Sequence, residues 1–162
     1  MAASKLEIIA DPDKPTIVTR RELAAPRALV FDAFTKPELI MRWLGPRAFT
    51  WVKCESDLRV GGRYRWVHRA PDGQEYGFSG EFTEIDRPGR LVRTYVFDPF
   101  PEAVALETLT LEEREGRTVA TTLTVHKTIE ARNGHISGGQ MEKGMTEGYA
   151  RLDELLAESS VS

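Results

Sequence analysis

The sequence predicts an α+β fold: an antiparallel sheet of six or seven strands packed on one long C-terminal helix, with two short helices after the first strand. Three observations predict it. Between Ser137 and Glu158, the residues Met141, Met145, Gly148, Tyr149, Leu152, Leu155 and Leu156 recur at offsets that draw one stripe along a 3.6-period helix, with the charged residues mostly off it. From Phe49 to His126 the pattern changes to period two, the alternation of strands with one buried face. The strands are separated by short turn signals, Pro71-Asp72-Gly73, Arg87-Pro88-Gly89-Arg90 and Glu113–Arg117, and such connections join antiparallel neighbours. A helix of that length spans about 33 Å. Six or seven strands span about 29 Å. One helix therefore suffices to cover one sheet.

In chain order, residues 1–15 carry two prolines between short apolar pieces and are expected as a loose arm, with an added strand at Leu6–Ile9. Residues 16–158 are expected as a single domain. Thr16–Leu23 is strand-like by its β-branched content. Pro26 suits a helix start, and Leu29, Val30, Ala33 and Phe34 have helical spacing. Pro37 restarts a second short helix through Leu39, Ile40, Trp43 and Leu44, which Gly45-Pro46 stops. Strands are then expected at Phe49–Leu58, Arg63–Arg69, around Tyr76–Phe82, at Leu91–Phe97, at Leu106–Glu112 and at Thr118–His126. Ser137 and Gln140 have the capping-box spacing that opens the last helix.

Composition narrows the function classes. A 162-residue chain with 41% apolar and 29% charged residues is sized for one globular core. A net charge of −3 with both signs interspersed gives no electrostatic footprint for nucleic acid. No apolar run reaches the ~20 residues of a membrane span, and the N-terminus has no secretory pattern, so a cytoplasmic location is expected. The single cysteine, Cys54, excludes an internal disulfide and is expected as a small buried side chain. No phosphate-binding loop, nucleophile elbow or closely spaced His/Cys pair occurs, so neither a metal nor a cofactor is expected.

Four blocks carry a resemblance: RELAAPRALVFDAFTKPELIMRWLGP (21–46), CESDLRVGGRYRWV (54–67), PDGQEYGFSGEFTEIDRPGRLVRTY (71–95) and EGYARLDELL (147–156). In this order they resemble the START-like, or SRPBCC, superfamily, in particular the branch named after the activator of the heat-shock chaperone ATPase. Relatives often carry a tryptophan where this chain has Tyr149. The resemblance implies a helix-grip fold, in which a curved antiparallel sheet grips the C-terminal helix around a cavity. It also implies a choice among ligand binders, cyclase-type enzymes and co-chaperone domains.

Placed on that fold, the expected ligand contacts are Trp51, Trp66 and Phe78, then Phe82, Tyr95 and Phe97 on the sheet, with Met141, Met145 and Tyr149 on the helix. Asp57 and Arg59, two apart in sequence, are expected as an ion pair at the cavity mouth. His68 shares a strand face with Tyr64 and Trp66, so His68 and Tyr64 are the weak candidates for acid–base chemistry. His126 and His135 are isolated in the sequence. Trp43 is expected to plug the two short helices. Glu81 falls on the solvent face by parity. Gly144 and Gly148 each lower helix stability by about 1 kcal/mol against alanine, which marks the inward helix face as needing space, either for a ligand or for close approach of the chain. The leading expectation is binding of an apolar or aromatic small molecule by a monomer or homodimer, without nucleic acid or membrane insertion. A cyclase or hydratase using the same cavity comes second, and a regulator of a chaperone ATPase third.

Overall fold

The computed structural model describes residues 5–161, with the side chains of residues 138, 140 and 159–161 left aside. The Gln140 half of the expected capping box therefore lies outside the described residues. The elements run β1 (Glu7–Ile9), β2 (Thr16–Leu23), α1 (Arg27–Thr35), α2 (Pro37–Trp43), β3 (Thr50–Ser56), β4 (Arg63–Arg69), β5 (Glu75–Asp86), β6 (Arg90–Phe97), β7 (Ala105–Arg114), β8 (Arg117–Val125), α3 (Ile129–Ile136), a short 3₁₀ turn (Ser137–Gly139) and α4 (Gln140–Val161). This is the α+β helix-grip arrangement expected from the sequence.

The sheet has eight strands in the order β1-β2-β8-β7-β6-β5-β4-β3, all neighbours antiparallel. The expected six or seven becomes eight because Glu7–Ile9 pairs along the free side of β2, in the register Glu7↔Arg20 and Ile9↔Val18. β2 and β3 are neighbours in sequence but lie towards opposite edges, so α1 and α2 carry the chain across the open end of the sheet. Proline sets their junction. Lys36, before Pro37, is extended (φ −84°, ψ 122°), as a residue preceding proline must be, so α1 ends there and α2 begins.

The core lies between the sheet and helices α1, α2 and α4. Leu152, Leu155 and Leu156 of α4 pack with Val30, Phe31 and Phe34 of α1 and with Leu23, Leu109, Leu111 and Ala120 of the sheet. Arg21 of β2 ties α4 down: it is buried, reaches Asp153 at 2.6 Å and sits 5.8 Å from the Tyr149 ring centroid. Trp43 has the plugging role expected of it. Its Nε1 donates to the Ala33 carbonyl at 2.8 Å, and its ring meets Phe34 edge-on at 4.9 Å.

α3 was not expected. Its sequence, IEARNGHI, has no apolar stripe, and the residue it buries is Arg132, at 2% exposure. Thr128 caps it by accepting from Ala131 N. The Arg132 guanidinium donates to the backbone carbonyls of Asp11 and Thr16 at 2.8 and 3.0 Å, so a buried charge satisfied by main chain holds α3 against the N-terminal arm. Among the described residues, no helix is long and apolar enough to cross a membrane.

Candidate functional site: a cavity under the first half of α4

Strand alternation aims one side chain in two at α4. On β4 these are Tyr64, Trp66 and His68; on β6, Leu91, Arg93 and Tyr95; on β7, Ala105, Glu107 and Leu109; on β8, Thr118, Ala120, Thr122 and Thr124. Under the C-terminal half of α4 the gap is filled by leucines. Under its N-terminal half it is not, and a cavity of about 230 Å³ remains. Its sheet wall is Ile17, Thr19, Trp66, His68, Phe78, Arg93, Tyr95, Glu107, Thr122 and Thr124. Its helix wall is Met141, Gly144, Met145, Gly148 and Tyr149, and Phe34, Ile40, Trp43, the Leu44–Pro46 turn and His135 close the ends.

Of the residues expected to contact a ligand, Trp66, Phe78, Tyr95, Met141, Met145 and Tyr149 stand on this wall. Three others stand behind it. Phe82 is buried against Tyr64. Phe97 stacks on Phe78 at 5.1 Å, and Trp51, on the outermost strand, meets His68 edge-on at 4.0 Å. Asp57 and Arg59 do form an ion pair, at 2.7 Å, but not at the mouth. β3 ends at Ser56, so both sit in the exposed turn before β4 rather than on a strand face aimed at the cavity. Tyr64 is also absent from the wall; its hydroxyl donates to the Thr94 carbonyl at 2.6 Å, and burial raises its pKa far above the usual tyrosine value. Cys54 is half-buried, and burial, reinforced by Glu38, pushes its thiol up to about 11, so it is no thiolate nucleophile. Glu81 faces outward and pairs with Arg63 at 3.6 Å.

The feature missed in the sequence is a charge pair on the wall, with Arg93 buried and Glu107 half-buried. Arg93 and Glu107 are direct cross-strand partners in β6 and β7. Arg93 Nε and Nη2 both donate to Glu107 Oε1, at 2.9 and 2.6 Å. The guanidinium also stands 4.7 Å from the Trp66 ring centroid and 5.1 Å from that of Tyr64. The row continues through Thr124 of β8 to Ile17 of β2, and in the next row the hydroxyls of Thr19 and Thr122 bond each other. β8 is polar inward and leaves Leu123 and Val125 exposed, the reverse of an ordinary half-buried strand. The signal was available. Arg93 is in phase with Leu91, Tyr95 and Phe97, and Glu107 with Ala105, Leu109 and Leu111, so each is a charge interrupting an inward series.

The structure also brings together the two isolated histidines. His135 Nδ1 lies 3.2 Å from His126 Nε2, and the His135 ring stacks on Tyr95 at 5.6 Å between centroids. Burial lowers both pKa values. His126 reaches about 4 with His135 and Arg132 adding to the effect, while Glu107 opposes the shift at His135. His68 is likewise lowered to about 4, by burial first and the Arg151 charge second. All three rings are therefore neutral at pH 7. Among the described residues no three His, Cys, Asp or Glu side chains gather as a metal site.

The histidines make stability depend on pH. The folded pKa values of His68 and His126 lie below the unfolded 6.5, so between pH 6.5 and 4 the unfolded chain binds the extra protons. Their contribution is complete above pH 6.5 and is lost as pH falls towards 4, on the order of 1–3 kcal/mol per ring. Melting temperatures measured across that window are expected to fall more steeply for the natural protein than for His68→Gln; parallel curves would count against a buried neutral His68.

Two glycines shape the helix wall differently. A Cβ on Gly148 would lie 3.1 Å from the Trp43 carbonyl oxygen and 3.4 Å from Gly45 N, so this glycine serves close approach of α4 to the end of α2. A Cβ on Gly144 would meet only Pro46, at an ordinary 3.6 Å. Gly144→Ala is expected to raise stability by about 1 kcal/mol through helix propensity, and Gly148→Ala to gain less because its carbonyl neighbour must shift. Urea denaturation of the two variants checks the difference. Gly45 is a second close contact: its φ of +93° turns the chain over His68, and a Cβ there would come within 2.7 Å of His68 Cε1.

Comparison with known proteins agrees with this architecture. A protein of Rhodobacter sphaeroides shares 28% identity, with 95% of this chain and 99% of that chain covered at a TM-score of 0.86. Protein Ms6760 from Mycobacterium smegmatis shares 26% identity over 94% of this chain and 97% of its own, at a TM-score of 0.83. An HSP90 activator from Plasmodium falciparum has the same fold at 22% identity, covering 88% of this chain and 96% of its own with a TM-score of 0.62. No curated protein matches the sequence. The family model described as Activator of Hsp90 ATPase homolog 1-like protein matches residues 24–157, which takes in everything from the end of β2 to the leucine anchor of α4, and the chain belongs to that family.

Proposed function

We propose that this chain binds a small, largely aromatic molecule in the cavity between its sheet and the first half of α4. One observation carries the reading: the core is tightly filled under Leu152–Leu156, whereas about 230 Å³ is left under Met141–Tyr149, walled by aromatic rings and by a buried Arg93–Glu107 pair. Packing alone gives no reason to leave such a gap, because an unfilled apolar cavity is destabilising. Nor does stability favour a buried ion pair over apolar residues of the same volume. A concave apolar site with a few convergent polar groups is the usual form of a ligand pocket.

Binding is preferred to turnover because neither acid–base candidate is well suited to it. Tyr64 is engaged with a backbone carbonyl and lies off the wall, and His68, although it stands on the wall with its Nε2 unpartnered, is a weak base with its pKa lowered to about 4. The chaperone-regulator reading has no named residue of this chain behind it. A thermal-shift screen of one- and two-ring aromatic compounds tests the proposal. Compounds that stabilise the protein should lose their effect in Met145→Trp, which fills the helix wall. If no such compound raises the melting temperature, the cavity is a packing defect and the proposal fails.

A further inference from the structure

The cavity wall restricts what its occupant can be in size, charge and hydrogen bonding. In size, 230 Å³ is roughly one and a half times the ~150 Å³ apolar cavity that takes up benzene, which scales to about nine non-hydrogen atoms. In shape, the flanking groups are the rings of Trp66, Phe78, Tyr95 and Tyr149, which favour a flat aromatic body.

In charge, Arg93 and Glu107 are the two charged residues on the wall among the described residues, and they neutralise each other at 2.6 Å. The wall histidines His68 and His135 are uncharged at pH 7. An ionised guest would therefore leave water without a counter-ion, at a heavy desolvation penalty. In hydrogen bonding, both Arg93 donors converge on Glu107 Oε1. Oε2 takes neither bond. It belongs to a carboxylate on the wall, beside Thr19, Thr122 and Thr124 and the unpartnered Trp66 Nε1 and His68 Nε2, and carboxylates accept strongly from N–H and O–H donors.

Building on the binding reading above, we propose that the occupant is a neutral aromatic molecule of about nine non-hydrogen atoms carrying an N–H or O–H donor, seated with that donor on Glu107 Oε2. Phenols and N–H heteroaromatics belong to this class. Aromatic carboxylates of the same size do not, and acceptor-only heterocycles are the weaker members of the same shape.

Calorimetric titration of the full chain with three probes of equal heavy-atom count tests this: indole as neutral donor, benzofuran as acceptor-only isostere, and benzoate as anion. Indole is expected to bind at least about tenfold tighter than benzofuran, the value of one hydrogen bond to a charged acceptor, with benzoate at least about a hundredfold weaker than indole. In Glu107→Gln the acceptor becomes an amide and Arg93 is left unbalanced, so indole's advantage over benzofuran should fall to about threefold or less and benzoate should gain affinity. Equal affinities for indole and benzofuran in the natural protein would overturn the donor assignment while leaving cavity binding intact. Benzoate binding as tightly as indole would overturn the neutrality argument. An unchanged indole advantage in a folded Glu107→Gln protein would overturn the role of Glu107. Failure of all three probes to bind would overturn this inference and the binding reading together.

Discussion

Leu152→Ala is expected to lower the unfolding free energy by about 3–4 kcal/mol. Leu152 is fully buried, at 0% exposure, in a cluster with Leu155, Leu156 and the side chains of α1 and β7. The substitution removes most of a buried side chain and leaves a void that helices on both sides are too constrained to close. The change should appear in urea denaturation as a lower midpoint with an unchanged slope, because the folded state keeps its compactness. A loss under ~1 kcal/mol would mean that this half of α4 is not the anchor, since truncating a buried leucine elsewhere costs more.

Removing the arginine of the buried pair is the second large effect. Arg93→Met should destabilise by about 3–5 kcal/mol, because it strands the Glu107 carboxylate without its cation. The guanidinium's contacts over Trp66 and Tyr64 are lost as well. The double variant Arg93→Met, Glu107→Leu should recover most of that loss, since removing both charges also removes the desolvation penalty. A double variant as unstable as the single would show that the loss comes from packing and not from the stranded charge. The two predictions separate two kinds of contribution: Leu152 holds the helix down, whereas the Arg93–Glu107 pair taken together adds little stability over apolar residues of the same volume, although removing one partner alone is costly.

How legible each part was follows from how local its signal is. α4 was legible because seven residues of one stripe lie within a single helix. The strands were legible because alternation and turn residues act over a few positions. α3 was not, because Arg132, its buried residue, is satisfied by carbonyls of Asp11 and Thr16 more than a hundred positions away. The added strand expected at Leu6–Ile9 is found at Glu7–Ile9, but its partner, the free side of β2, is not identified by the sequence. Six of the nine expected cavity contacts reach the wall. Trp51, Phe82 and Phe97 stand behind it because strand parity gives a face but not a depth. Asp57 fell within a strand expected to run to Leu58, whereas β3 ends at Ser56 and leaves both Asp57 and Arg59 in the turn. The Arg93–Glu107 pair shows a limit of another kind: each charge was visible in its own strand, but only the register brings them together. The paired histidines, His126 and His135, depend on α3 in the same way.

The central claim is that the gap under Met141–Tyr149 is a binding site. Amide and indole N–H chemical-shift mapping of the labelled chain titrated with indole tests it most directly. The predicted result is saturable shifts confined to the wall: the amides of Gly45, Gly144, Gly148 and Tyr149, the strand amides around Arg93 and Glu107, and the Trp66 Nε1–H. Shifts that do not saturate, or that fall on the outer strand β3 and the exposed turn at Asp57–Gly62 while the wall stays unmoved, would contradict it.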